Sequence, residues 1–163
     1  MLWLICAGLI VFILLSLKYC WWRPSIGFEH PRVLMYHMIS DSQPKQKHRG
    51  LRVSPEMFER QIAWLKANDW TFIKASELLT EKAQGDKRVV ITFDDGYEDN
   101  YSQALPILKK YEACATLYLV TDRHERDWSV SKNAKHNSGD LMREAKLSDA
   151  QVLEMLASNV FEL

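Results

Sequence analysis

The chain of 163 residues has no surplus of either charge: 21 Lys and Arg stand against 21 Asp and Glu. Nucleic-acid binding leaves a basic excess or stripe, so this balance excludes it as the main partner class. The one basic cluster, Lys45-Gln46-Lys47-His48-Arg49, lies between Pro44 and Gly50 and reads as a solvated loop. Cysteine is also scarce. Cys6, Cys20 and Cys114 are odd in number and form no Cys-x-x-Cys spacing, which excludes a disulfide framework and a thiolate zinc site. Cys20 is no lipoprotein acylation site, because Leu17-Lys18-Tyr19 puts a charge and a ring where small residues are needed. The sequence has no internal repeat. It also has no two histidines close enough to share one helical turn or tight loop.

What the first segment lacks is charge. From Leu2 to Leu17 no residue is charged, and Tyr19, Trp21 and Trp22 follow. Tyr and Trp settle at the headgroup level of a bilayer. At about 1.5 Å per residue, the run and its aromatic collar span roughly the 30 Å of a hydrocarbon core. A basic start and a small-x-small cleavage site, the marks of a removable signal peptide, are missing. Residues 1–22 are therefore expected to be one uncleaved transmembrane helix, and 23–31 a linker. Lys18, Arg23 and Arg32 all follow the span, and on the positive-inside tendency that would keep the domain in the cytoplasm.

Beyond the linker, short apolar runs alternate with helical patterns. Arg32–Tyr36, Trp70–Ile73, Val89–Phe93, Ala115–Val120 and Val160–Leu163 read as strands, the third being β-branched and aromatic throughout. Ser54-Pro55-Glu56 opens a helix whose stripe is Phe58, Ile62 and Leu65, and Asn68 and Asp69 end it. A helical turn is expected at Ala75–Leu79, a turn at Gly85-Asp86, and a helix centred on Leu105–Tyr111. Ser148 and Gln151 form a capping box with Leu147 and Val152 as its staple, and Asn159 closes that helix. Residues 121–146 read as a long surface loop. The alternation predicts an α/β fold with a parallel sheet.

Chemistry concentrates in Thr92-Phe93-Asp94-Asp95-Gly96-Tyr97. Two carboxylates end a buried strand, where parallel α/β sheets place ligands. Gly96 can take backbone angles that let both acids reach one mouth. A bound cation would relieve their repulsion, leaving one acid for the metal and one for protons. An acidic turn capping the next helix, with Asp99, Asn100 and Ser102, is the structural alternative. A calcium loop is excluded by the missing every-second-residue oxygen register. A haloacid-dehalogenase-type phosphotransferase is excluded because Gly96, not an aspartate, stands two residues after Asp94. His37, ending its strand, is a candidate neighbour of the same mouth; His124 and His136 fall in the long loop.

Val89 to Tyr97, read as Val-Val-Ile-Thr-Phe-Asp-Asp-Gly-Tyr, resembles the first motif of the NodB-homology polysaccharide deacetylases, carbohydrate esterase family 4. Leu34-Met35-Tyr36-His37 is similar to the first strand of the branch acting on β-1,6-linked poly-N-acetylglucosamine and related polymers. Pro106–Tyr111, Ala115–Val120 and Leu147–Leu163 resemble the segments that follow, so the likeness covers residues 32–163. It implies the N-terminal half of a distorted (β/α)7 barrel, preceded here by the transmembrane helix. It further implies a divalent metal, usually zinc, held by an aspartate and two histidines, and removal of N-acetyl groups from an N-acetylated polysaccharide. By position Asp94 would be the general base and Asp95 the metal ligand.

The second motif of that family, a His-(Ser/Thr)-x-x-x-His pair, is absent. The resemblance therefore implies a truncated domain with open sheet edges, inactive alone. A membrane-held, non-catalytic glycan-binding or assembly protein, and an unrelated small α/β membrane protein with an acidic turn, remain the competing expectations. The family implies an extracytoplasmic domain, against the charge asymmetry around the anchor.

Overall fold

A computed structural model of the chain describes residues 2–42, 48–79, 87–120, 141 and 144–163. Most of the 45–49 cluster, the Gly85-Asp86 turn, His124 and His136 lie outside the described residues.

Helix α1 covers Leu2–Tyr19. Its apolar side chains are exposed on every face, from Trp3 and Leu4 to Leu15 and Leu17. The sequence led us to expect a transmembrane span here. However, no helix among the described residues is long and apolar enough to cross a membrane. The 18 residues of α1 rise about 27 Å at 1.5 Å each, a little under the roughly 30 Å of a hydrocarbon core, and Lys18 occupies the last turn.

The domain that follows is built around one strand. β5 (Arg88–Asp94) is buried from Val89 to Phe93. A run buried on both faces belongs in the middle of a parallel sheet, and that is its place. β1 (Arg32–Tyr36) pairs with it in parallel, matching Arg32 to Val89 and Tyr36 to Phe93. β4 (Thr71–Ile73) pairs with its first residues, and β6 (Ala115–Tyr118) pairs with its last, Thr92 to Asp94. β7 (Phe161–Glu162) pairs with β6, giving the order β1-β5-β6-β7 with β4 beside β5. Every strand pairing in this sheet is parallel among the described residues, in keeping with the alternation of strands and helices. Among the described residues β1 and β7 end the main strand order, and β4 pairs with β5 alone. A small parallel ladder, β2 (Met38–Ile39) with β3 (Arg52–Val53), stands beyond β1; the sequence pattern does not show it.

Helix α2 (Pro55–Ala67) starts where expected. The Ser54 hydroxyl accepts from the Met57 amide at 3.2 Å, and Phe58, Ile62 and Leu65 are its buried stripe. The rings of Tyr36, Phe58, Phe93 and Phe161 meet at centroid distances of 5.0 to 5.7 Å, joining α2 to the sheet. The helix after β5 opens with a π-helical turn, Asn100–Ala104, before α3 (Leu105–Lys110). α4 (Asp149–Ala157) has the expected capping box between Ser148 and Gln151, with Leu147 and Val152 buried beneath it. Asn159 is left-handed (φ 59°) just beyond its end.

Candidate active site

Successive residues of a strand point to opposite faces, so two adjacent acids reach one mouth only if the backbone turns between them. It does. Asp94 is the last residue of β5, level with Tyr118 of β6. Asp95 follows with φ 74° and Gly96 with φ 66°, both left-handed. That conformation is open to glycine and tolerated by aspartate among L residues. Gly96 is held there by crowding as well: a Cβ would stand 2.5 Å from Leu119 Cδ2. The Asp95 amide donates to the Tyr118 carbonyl at 3.0 Å, and the Gly96 carbonyl accepts from the Leu147 amide at 3.0 Å. The turn is thus pinned between β6 and the approach to α4.

His37 follows β1 directly, and the register that pairs Tyr36 with Phe93 brings it level with Asp94. Its carbonyl accepts from Asn100 Nδ2 at 2.8 Å. Asn100 is fully buried and also donates to Asp99 Oδ1 at 3.2 Å. A π turn widens the helix locally and recurs at functional sites; here it carries the Asn100 amide to the end of β1. The three residues the sequence nominates therefore share one end of the sheet.

More charge gathers there than the sequence announces. Burial pushes the Asp95 carboxyl above its ordinary range, with His37 and Lys146 pulling it back and Asp94 adding to the rise. Burial likewise raises Asp99, against the Ile39 amide, the Ser40 hydroxyl and Arg52. Burial lowers the Lys146 ammonium to about 8, although Asp95, Glu144 and Asp99 favour its charge. Lys146 pairs with Tyr97 in an antiparallel bridge, and its ammonium lies 3.4 Å from the ring centroid. Arg52 makes an ion pair with Glu144 and donates to Ser40 Oγ at 2.7 Å. Arg52, Asp99, Asn100, Glu144 and Lys146 were not singled out as part of the site. Only Asn100 and Asp99 left a trace in the sequence, as polar residues just after the acidic pair.

Whether these side chains fit a catalytic metal is a question of donors. Zinc in catalytic use takes three protein ligands and one open position. Among the described residues no group of three or more His, Cys, Asp or Glu side chains is placed to hold an ion. Asp95 with His37 nearby falls short of that set, so the described donors do not fit zinc.

Comparison with known proteins gives a consistent family. Residues 81–157 match the family model described as polysaccharide deacetylase. YxkH of Bacillus subtilis (strain 168) is 42% identical over 92 residues, covering 54% of this chain and 31% of the relative. A poly-beta-1,6-N-acetyl-D-glucosamine N-deacetylase of Staphylococcus aureus is 44% identical over 72 residues, 42% of this chain and 25% of the relative. IcaB from Ammonifex degensii superposes with a TM-score of 0.64 at 25% identity, covering 82% of this chain and 51% of that one. The chain thus spans a third or less of the length of these curated relatives. Over residues 81–157, a stretch that includes Asp94 and Asp95, the chain is similar to polysaccharide deacetylases, and its fold matches theirs.

Proposed function

We propose that this chain contributes the acidic pair of a hydrolase that removes N-acetyl groups from an N-acetylglucosamine-containing polysaccharide. The observation that carries the reading is the turn at Asp95 and Gly96, which brings two adjacent carboxylates and His37 to one end of β5. In this reading Asp94 takes a proton from the water that attacks the acetamide carbonyl. The C–N bond then breaks, acetate leaves, and the sugar amine takes up a proton. The S. aureus relative, by its name, acts on such a polymer. We assign Asp95 to a divalent cation, zinc by family resemblance, whose other ligands are not among the described residues.

It follows that the chain by itself is expected to release no acetate from N-acetylglucosamine oligomers, with or without added zinc. Fusing to its C-terminus the part of the S. aureus relative that it does not match should restore release. Asp94→Asn or Asp95→Ala in that fusion should abolish it, and full activity with alanine at 95 would end the assignment.

The short donor set favours one second reading, a non-catalytic glycan-binding or assembly protein. Oligosaccharide binding by the chain that is unchanged by Asp94→Asn and Asp95→Asn would support it over the hydrolase.

We further propose that α1 anchors the chain in a membrane, with the domain on the extracytoplasmic side where such polymers lie. A helix apolar on all faces needs an apolar surrounding, and a hydrophobic stretch a few ångströms short is accommodated by local bilayer thinning. A C-terminal reporter fusion that is active only in the cytoplasm would reverse the orientation.

A further inference from the structure

We infer that the end of the domain holding the strand starts rests on an anionic lipid surface, leaving the acidic mouth turned away from the membrane. The inference depends on the proposed insertion of α1, and goes beyond it to the posture of the domain.

The segment joining α1 to β1 is built into the domain. The Phe28 ring packs edge-on against Trp70 at 5.8 Å, and its carbonyl accepts from the Lys87 amide at 3.1 Å. Arg88 donates to the Glu29 carbonyl at 2.7 Å. The Arg32 guanidinium donates to the carbonyls of His30 at 2.6 Å, Ile26 at 2.8 Å and Gly27 at 3.2 Å. These contacts gather at the first residues of β1 and β5 and just before β4, the end opposite Asp94 and Asp95. From Tyr19 to Ile26 the chain can reach at most about 25 Å, at 3.3–3.6 Å per extended residue. The strand starts are therefore tethered close to the end of α1, while β5 itself carries the acids about 20 Å further away.

The chemistry of this end matches a headgroup layer. Trp21, Trp22, Ile26, Phe28 and Trp64 are all more than half exposed; the tryptophans are of the type that favours the bilayer interface, and Ile26 and Phe28 add apolar surface. The Arg23 guanidinium lies 5.5 Å from the Trp22 ring centroid and the Lys87 ammonium 5.7 Å from that of Phe28. The nearby acids among the described residues include Glu29, whose carboxylate lies 3.6 Å from His30 Nε2, and Asp69. Beside Trp64 opens a cavity of about 710 Å³, lined mainly by apolar residues such as Leu34, Met57 and Trp70, with Arg32, Arg60 and Gln61 also in its wall. A mainly apolar wall that also carries basic residues suits the chain and headgroup of an anionic phospholipid. A soluble acidic polymer without rings or apolar chains would use the cations but leave Phe28 and Trp64 in water.

The test is spin-label accessibility in the full chain. A nitroxide is placed by Trp64→Cys, or by Tyr118→Cys at the mouth as a control, with Cys6, Cys20 and Cys114 replaced by alanine. The chain is reconstituted into vesicles rich in phosphatidylglycerol or into phosphatidylcholine alone. In the anionic vesicles the label at 64 should lose collisions with a water-soluble nickel relaxant several-fold and gain collisions with oxygen, while the label at 118 stays aqueous. Arg60→Gln and Arg23→Gln should each weaken docking about fivefold, the effect of one basic side chain at an anionic surface. A label at 64 as aqueous as that at 118, in a chain that floats with the vesicles, would overturn the docking and leave the anchor standing. Shielding from both relaxants would mean a protein cover and would also overturn it. A chain that does not float would remove the anchor and the docking together.

Discussion

The two ends of β5 are made of different material. At its start Val89 and Val90 are wholly buried among aliphatic and aromatic side chains, and the nearby polar contacts go to linker carbonyls. At its finish Asp94, Asp95, Asp99, Glu144, Arg52 and Lys146 crowd around a turn in which two successive residues are left-handed. The first end gains stability from burial, roughly 25 cal/mol for each Å² of apolar surface removed from water. The second sets buried charges against one another, which costs stability unless a ligand or a reaction uses them. The difference teaches that one strand can be the scaffold at one end and the instrument at the other.

The contrast can be pressed hardest in the middle of the strand. Phe93→Ala removes the ring that stacks on Tyr36 and touches Phe58 and Phe161. A loss of about 3–5 kcal/mol is expected from the cavity, read as a drop in the urea midpoint. Asn100→Ala deletes the only side-chain donor recorded on the His37 carbonyl among the described residues. It should cost about 1–3 kcal/mol and should perturb the amide resonances of His37 and Met38 more than those of β7. Gly96→Ala forces a Cβ into a left-handed residue against Leu119 and should cost about 1–2 kcal/mol. If that variant is as stable as the parent, the turn is less constrained than its geometry demands.

The smallest effect is the pH dependence, and its signs differ between groups. Lys146 is lowered to about 8 in the folded chain, so the folded state binds fewer protons there than the unfolded state. Its contribution is complete above the ordinary lysine range and is lost as pH falls through about 8. Stability should therefore rise modestly from about pH 8 upward, and Lys146→Met should flatten that rise in denaturant titrations. Asp95 and Asp99 are raised. Their contribution is complete below the ordinary aspartate range and fades as pH climbs through their folded values. Asp95→Asn and Asp99→Asn should each reduce the acid-side slope.

The scaffold end was the legible one. A β-branched run names β5, a Ser-Pro start names α2, and a capping box with its staple names α4, because each signal lies within a few residues of the element it sets. The two acids were legible for the same reason, as neighbours in sequence. The rest of the site was not. Arg52, Asn100 and the Glu144–Lys146 segment come from three separate stretches, brought together by the Arg52–Glu144 ion pair, the π turn and the antiparallel Tyr97–Lys146 bridge. The short β2–β3 ladder is equally silent, since two residues carry no pattern. The apolar N-terminus declared its composition plainly, yet composition does not set helix length, and α1 ends at Tyr19 before the tryptophan pair.

The left-handed backbone at position 95 makes that site a gauge of selection. Judged by folding alone, glycine would sit there with less strain, and asparagine would keep the shape without the buried negative charge. A library randomised at this codon and screened only for soluble, protease-resistant chains should drift towards those two. Any screen that instead recovers aspartate must be rewarding its charge, and so would report the working chemistry of the chain without a substrate having been chosen in advance.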